Sequence, residues 1–217
     1  VGTVVRLVFL DTQWWLHNFE KPYGATSRCR AVSEDQVIEQ LAATLAGAGR
    51  RHVIVMGHHP LASGGEHGGY WSVGKHLFPL RDVRHWLWIP IPILGSIYPI
   101  ARMNGITNQD LSNSRNEYMR AQFARAFAGH PPLIYAAGHD HNLQVFNGPS
   151  ARYTIVSGSG IVDHQDAVRY KRNTLYAARK PGFMRVDVDR RGAVRLSVHV
   201  INKTGPQEMF AIWLTEP

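Results

Sequence analysis

Two short stretches of this 217-residue chain share one pattern. "VIVMGHHP" ends an apolar run in Gly57 and continues with His58 and His59. "IYAAGHDH" ends another in Gly138 and continues with His139, Asp140 and His141. Neutral imidazole is the commonest metal ligand among side chains, and glycine lets a backbone turn close to a bound ion. Residues at i and i+2 of an extended chain point to the same side. His139 and His141 are therefore expected to face a metal centre, one ion each, with Asp140 pointing away into a hydrogen bond. A lone H-x-H is a weak signal. Strand, glycine and histidine in the same order twice is a stronger one.

Other residues carry less. His59 directly follows a candidate ligand and is expected to point elsewhere, as a supporting or surface residue. His67, in "GGEHGG", reads either as a donor to a substrate phosphate or as a plain loop histidine. Asp11 ends the first strand at the same edge and reads first as a turn residue. His164 and Asp166 follow a G-S-G turn and read as loop. The single cysteine, Cys29, excludes an intrachain disulfide and a cysteine zinc site, and reads as a packed residue.

The elements that must position these groups are legible. Val4 to Leu10 and His52 to Gly57 are buried-type strands. Between them, "SEDQVIEQLAATLAGAGRR" reads as a helix with a Ser33/Gln36 capping box and glycine stops. Strand, helix, strand is a βαβ unit, and in such sheets ligand sites lie beyond the C-terminal strand ends. "SRNEYMRAQFARAFAG" reads as a second helix, boxed by Ser114 and Glu117, with Tyr118, Phe123 and Phe127 near one face. The runs "NLQVFNG", "ARYTIVSGSG", "GFMRVDVD", "AVRLSVHVI" and "EMFAIWL" read as later, mostly antiparallel strands. "DRRGA" reads as a hairpin turn.

Between the histidine motifs lies "HWLWIPIPILGSIYPI", His85 to Ile100, inside an insertion at about 82–112. It is strongly apolar, broken by prolines and too short to span a bilayer as a helix. It reads as a loop folded onto the core, or as a lip, Trp86 to Ile100, that touches lipid or a partner. Net charge is +8, but the arginines are scattered, so no specific nucleic-acid site is expected.

"VIVMGHHPL" and "IYAAGHDHN", in that order, resemble the C-terminal metal motifs of the calcineurin-like metallophosphoesterases, which include the purple acid phosphatases. "RYTIVSGSG" is similar to the segment that comes next in that family. The resemblance runs from about Val4 to about Val200 and covers the second half of the family domain. It implies an α/β fold, a β-sandwich flanked by helices, with two metal ions at strand ends. It also implies hydrolysis of phosphate mono- or diesters by in-line attack of a metal-activated water. By resemblance His58 and His139 ligate one metal and His141 the other. The ions would be Mn, Fe, Zn or Ni, which suit histidine and carboxylate ligands.

The family's D-x-H, G-D-x-x-D and G-N-H motifs do not occur in this sequence. The chain, which opens at Val1 inside a strand, is therefore expected to be the C-terminal part, 1–217, of one longer domain. Three imidazoles can hold one ion, so the isolated chain is expected to be inactive or nearly so. The rival reading is a non-catalytic interaction module on a degenerate phosphoesterase scaffold. Against it, three clustered imidazoles without a partner cost free energy.

Overall fold

The computed structural model describes residues 2–21, 31–160 and 164–216, without the side chain of Asp82. Cys29 lies outside the described residues. Nine strands form in chain order: β1 (Val5–Leu10), β2 (His52–Gly57), β3 (Ile134–Ala137), β4 (Leu143–Asn147), β5 (Tyr153–Ser157), β6 (Thr174–Ala178), β7 (Gly182–Val188), β8 (Val194–Asn202) and β9 (Gly205–Trp213). The helices are α1 (Thr12–Leu16), α2 (Glu34–Ala46), α3 (Val73–Leu77), α4 (Ile97–Met103) and α5 (Ser114–Phe127).

The strands make two sheets. One has the order β1-β2-β3-β5-β4-β6 and the other β7-β8-β9. β1, β2, β3 and β5 run parallel, while β4 and β6 are antiparallel to their neighbours. β6, in "RNTLYAARK", was not expected from the sequence. All five of its residues are only half-buried, so no run of β-branched core residues marks it.

Side chains of the large sheet alternate between two cores, as the period of two requires. Val53, Val55, Tyr135 and Ala137 face α1, α2 and α5, against Leu41, Phe123 and Phe127. Ile54, Ile134, Leu143, Val145 and Ile155 face the small sheet, against Val194, Leu196 and Val198. The fold is thus α/β, a two-sheet sandwich with helices on the outer face of its larger sheet. Leu196 is fully buried between the sheets, and truncating such a residue to alanine typically costs about 2–5 kcal/mol.

Local signals were partly right. Ser33 Oγ accepts from the Gln36 amide at 3.3 Å, and Gln36 Oε1 accepts from the Val32 amide at 2.9 Å, a variant of the expected capping box. α5 is capped differently. Asn113, not Ser114, is its N-cap, accepting from the Arg115 amide at 2.9 Å. Its buried face is Asn116, Met119, Phe123, Ala126 and Phe127, whereas Tyr118 is exposed. The "DRRGA" turn joins β7 to β8, with Asp189 Oδ1 accepting from the Arg191 and Ala193 amides, each at 2.8 Å.

The insertion is folded rather than open. The Ile91 amide donates to the Leu77 carbonyl at 2.8 Å, and Pro99 and Gly95 are buried. Its large apolar side chains nonetheless point mostly outward. No helix among the described residues is long and apolar enough to cross a membrane.

Candidate metal centre

Three parallel strand ends are aligned. Leu10 is opposite Gly57, and Met56 is opposite Ala136. The residues just past each strand therefore meet at one edge: Thr12 after β1, His58 and His59 after β2, His139 after β3. Gly57 makes the approach close. A Cβ there would lie 2.6 Å from the Tyr135 hydroxyl and 2.8 Å from Thr12 Cγ2. Gly138 is different from the expectation. A Cβ there would meet only His58 Nδ1, at 4.0 Å, and the tight turn falls on His139, whose φ is +69°.

That turn changes where the H-x-H side chains go. The Asp140 amide donates to the Gly138 carbonyl and the Asn142 amide to the Asp140 carbonyl, both at 2.9 Å. Residues 138–142 are thus coiled, not extended, and the same-side rule for i and i+2 does not apply. His139 joins His58 and His59, whereas His141 joins His164 and Asp166.

In the first group, His139 Nδ1 and His58 Nε2 lie 3.1 Å apart. The Gln109 carbonyl lies 3.1 Å from His139 Nε2. A carbonyl only accepts, so Nε2 carries the proton and Nδ1 turns its lone pair to His58. Two nitrogens about 2.1 Å from one ion, at octahedral to tetrahedral angles, stand roughly 3.0–3.4 Å apart. The pair fits one ion.

His59 is fully buried and its ring is already satisfied. Gln109 Oε1 lies 2.8 Å from its Nε2 and Thr12 Oγ1 lies 2.8 Å from its Nδ1. The Thr12 hydroxyl also accepts from the His59 amide at 3.1 Å, and the Tyr135 hydroxyl donates to the His59 carbonyl at 2.9 Å. His59 lies within ligand distance of the other two, but both its nitrogens are spent on supports.

His67 packs on His139, with ring centroids 3.7 Å apart. Its Nδ1–H donates to Asp110 Oδ1 at 3.0 Å, and Arg102 clasps the same carboxylate through Nε and Nη2. Arg102 Nη2 also lies 3.1 Å from His67 Nδ1. An ionised carboxylate only accepts, so Nδ1 carries the proton and donates to Asp110 rather than accepting from Arg102. Burial opposes ionisation of Asp110, but hydrogen bonds from Arg102 and His67 hold its pKa below the usual range.

Asp140 is buried. Its Oδ1 accepts from the His67 amide at 3.2 Å, while Oδ2 has no hydrogen-bond partner among the described residues. Burial raises its pKa. In the second group His141 Nδ1 is buried without a hydrogen bond among the described residues, 3.6 Å from Asp166 Oδ2. The ring centroids of His141 and His164 are 4.8 Å apart, and the Asp166 amide donates to the His141 carbonyl at 3.0 Å. Asp166 also faces Lys75 at 3.5 Å. Asp11 is structural, because its Oδ1 caps α1 by accepting from the Trp14 amide at 3.1 Å.

The first group is tuned to be neutral. Burial and the charges of His67 and His59 push His139 down to about 2. Burial, opposed by the Gln109 bond, leaves His59 at about 4. His58 is lowered by burial, then by His67 and His141. Neutral imidazole is the form that binds metal.

Sequence reading did not find Gln109, Asp110, Arg102 or Thr12, nor the His164–Asp166 pairing with His141. "NGITNQD" carries no motif spacing, and Gln109 works partly through its backbone. The H-x-D after β5 was the one available signal for the second group.

No protein-family model matches this chain, and no curated protein matches it in sequence. Solved structures do. PhoD matches at a TM-score of 0.51 with 10% identity, over 96% of this chain and 42% of its own. A purple acid phosphatase, PPD1 from yellow lupin seeds, matches at 0.48 with 12% identity, over 96% of this chain and 31% of its own. GAP50, described as the anchor in the inner membrane complex of Plasmodium, matches at 0.47 with 16% identity, over 96% of this chain and 48% of its own. The chain spans less than half the length of each. At these identities the likeness to PhoD is one of fold alone, an α/β architecture.

Proposed function

We propose that this chain carries the imidazole part of a dinuclear metallophosphoesterase centre and belongs to a phosphoric ester hydrolase. The observation that carries this reading is the His58–His139 pair, two ring nitrogens 3.1 Å apart at adjacent parallel strand ends. His58 and His139 hold one ion, and His141 with His164 and Asp166 hold the other. Such ions, when bound, polarise phosphoryl oxygens and lower the pKa of water. Mn, Fe, Zn and Ni all suit this donor set.

The chain's own residues orient and bind. The Gln109 carbonyl fixes the His139 tautomer, as outer partners of ligand histidines do. His59, buried and doubly bonded, braces the β2 end. His67 spends Nδ1–H on Asp110, and in the doubly protonated form its Nε2–H would donate to the phosphate ester. In this reading the ligands of the absent D-x-H, G-D-x-x-D and G-N-H motifs come from another segment. In this reading the 217 residues by themselves turn over little.

The test is hydrolysis of p-nitrophenyl phosphate and bis(p-nitrophenyl) phosphate by the full-length protein, with Mn²⁺ or Zn²⁺ added. Metal-dependent turnover lost in His139→Ala supports the reading. Metal binding without turnover by the full-length protein turns it to the rival, a binding module.

A further inference from the structure

We propose that the insertion between β2 and α5 is a foot that docks this protein on an anionic lipid surface. Its apolar side chains are turned out: Trp86 is 71% exposed, Ile93 84%, Leu94 66% and Ile97 61%. Side chains so placed are what an interfacial segment buries among headgroups and acyl chains. A loop collapsed on its own core would hide them.

The backbone behind this face is fixed. The Gly95 amide donates to the Ile91 carbonyl at 2.8 Å, and a Cβ on Gly95 would lie 2.3 Å from the His76 carbonyl oxygen. Trp88 packs edge-on to Phe78 at 5.4 Å, with the Arg81 guanidinium 3.6 Å from its ring centre. At the tip Ile93 has φ +69° and ψ −64°, and the Leu94 amide donates to the Pro92 carbonyl at 2.9 Å. That is a γ-turn with a β-branched residue in a region such residues rarely visit. Its outcome is that Ile93 and Leu94 project together.

Charge selects the occupant. Of the basic residues from Tyr70 to Asn108, Lys75 pairs with Glu66 and Asp166 and Arg102 with Asp110, while Arg81 and the exposed Arg84 flank the acidic Asp82. A polar cavity of about 260 Å³ opens beside the foot, lined by Arg81, His85 and Arg179, with Asp166 its carboxylate. Apolar tips on the same insertion as Arg81 and Arg84, beside a cavity that Arg179 also lines, match an anionic bilayer, which attracts basic residues near its surface. A second copy of a chain of net charge +8 would be repelled at the same face. Docking does not depend on the site turning over any ester.

The test is flotation with phosphatidylcholine vesicles, with and without phosphatidylserine, at low and high salt. The wild type is expected to float with the phosphatidylserine vesicles and to weaken in high salt. Ile93→Ser with Leu94→Ser is expected to lower binding about tenfold or more, and Arg84→Ser about fivefold. Both sites are exposed, and circular dichroism checks that the variants stay folded. Trp86→Ser replaces the tip variant if it does not. No flotation, or flotation of the tip and charge variants equal to that of the wild type, overturns the proposal. So does concentration-dependent self-association, lost in the tip variant, in a chain that ignores vesicles.

Discussion

His58 Nε2 and His139 Nδ1 face each other across 3.1 Å, although 81 positions separate them in the chain. Parallel pairing of β2 with β3 brings them together, and Gln109 sets the protonation of the second ring. The pair and the residues that brace it can be perturbed one at a time.

Gln109 acts through two different atoms, and they are separable. Gln109→Ala removes the bond to His59 Nε2 but keeps the carbonyl that orients His139. An unpaired buried donor costs about 1–3 kcal/mol. The expected result is that much loss in urea denaturation, with metal affinity changed far less than in His139→Ala. Equal losses of affinity would contradict the assignment.

The metal-free protein should be acid-sensitive through His59. Its folded pKa is about 4, below its ordinary value of 6.5. The unfolded chain therefore binds more protons between those values, and stability falls as pH drops through that window. From pH 7 to about pH 5 this one group costs about 2 kcal/mol. Urea midpoints in EDTA at the two pH values measure it. His59→Gln should be less stable at neutral pH but flatter across the window. An unchanged pH slope in that variant would refute the account.

Gly57 is needed for space. Gly57→Ala would press on the Tyr135 hydroxyl and on Thr12, and overpacking of this kind costs about 1–3 kcal/mol. Tyr135→Phe removes one of the crowded atoms, so the double variant should be less destabilised than the sum of the singles. Strict additivity in denaturation would show that Tyr135 is not what Gly57 accommodates.

The second ligand group should be independent of the first. Asp166→Ala is expected to remove one ion and leave the ion at His58 and His139. Elemental analysis with isothermal titration reads this directly. Loss of both ions, or of neither, would argue against two groups.

Much of this was legible in the sequence, for physical reasons. Strand runs ending in glycine and histidine had to place imidazoles at the C-terminal edge of a parallel sheet, and that edge is where His58 and His139 lie. Ser33 announced α2 through its side-chain chemistry. The coil at 138–142 was not legible, because nothing in "GHDHN" requires a non-glycine residue at positive φ. His141 was expected at a different ion from His139, but its grouping with His164 and Asp166 could not be foreseen. Gln109 was invisible because its key contact is a carbonyl. Asn113 was passed over because Ser114 and Glu117 imitate a capping box one residue later.

The most direct test of the central claim is metal stoichiometry and affinity for the wild type, His58→Ala and His139→Ala, measured by elemental analysis and titration with Zn²⁺. The account predicts at least one bound ion in the wild type, weakened about a hundredfold or more in either variant. Metal content unchanged by both substitutions, or no metal in any of the three proteins, would contradict it.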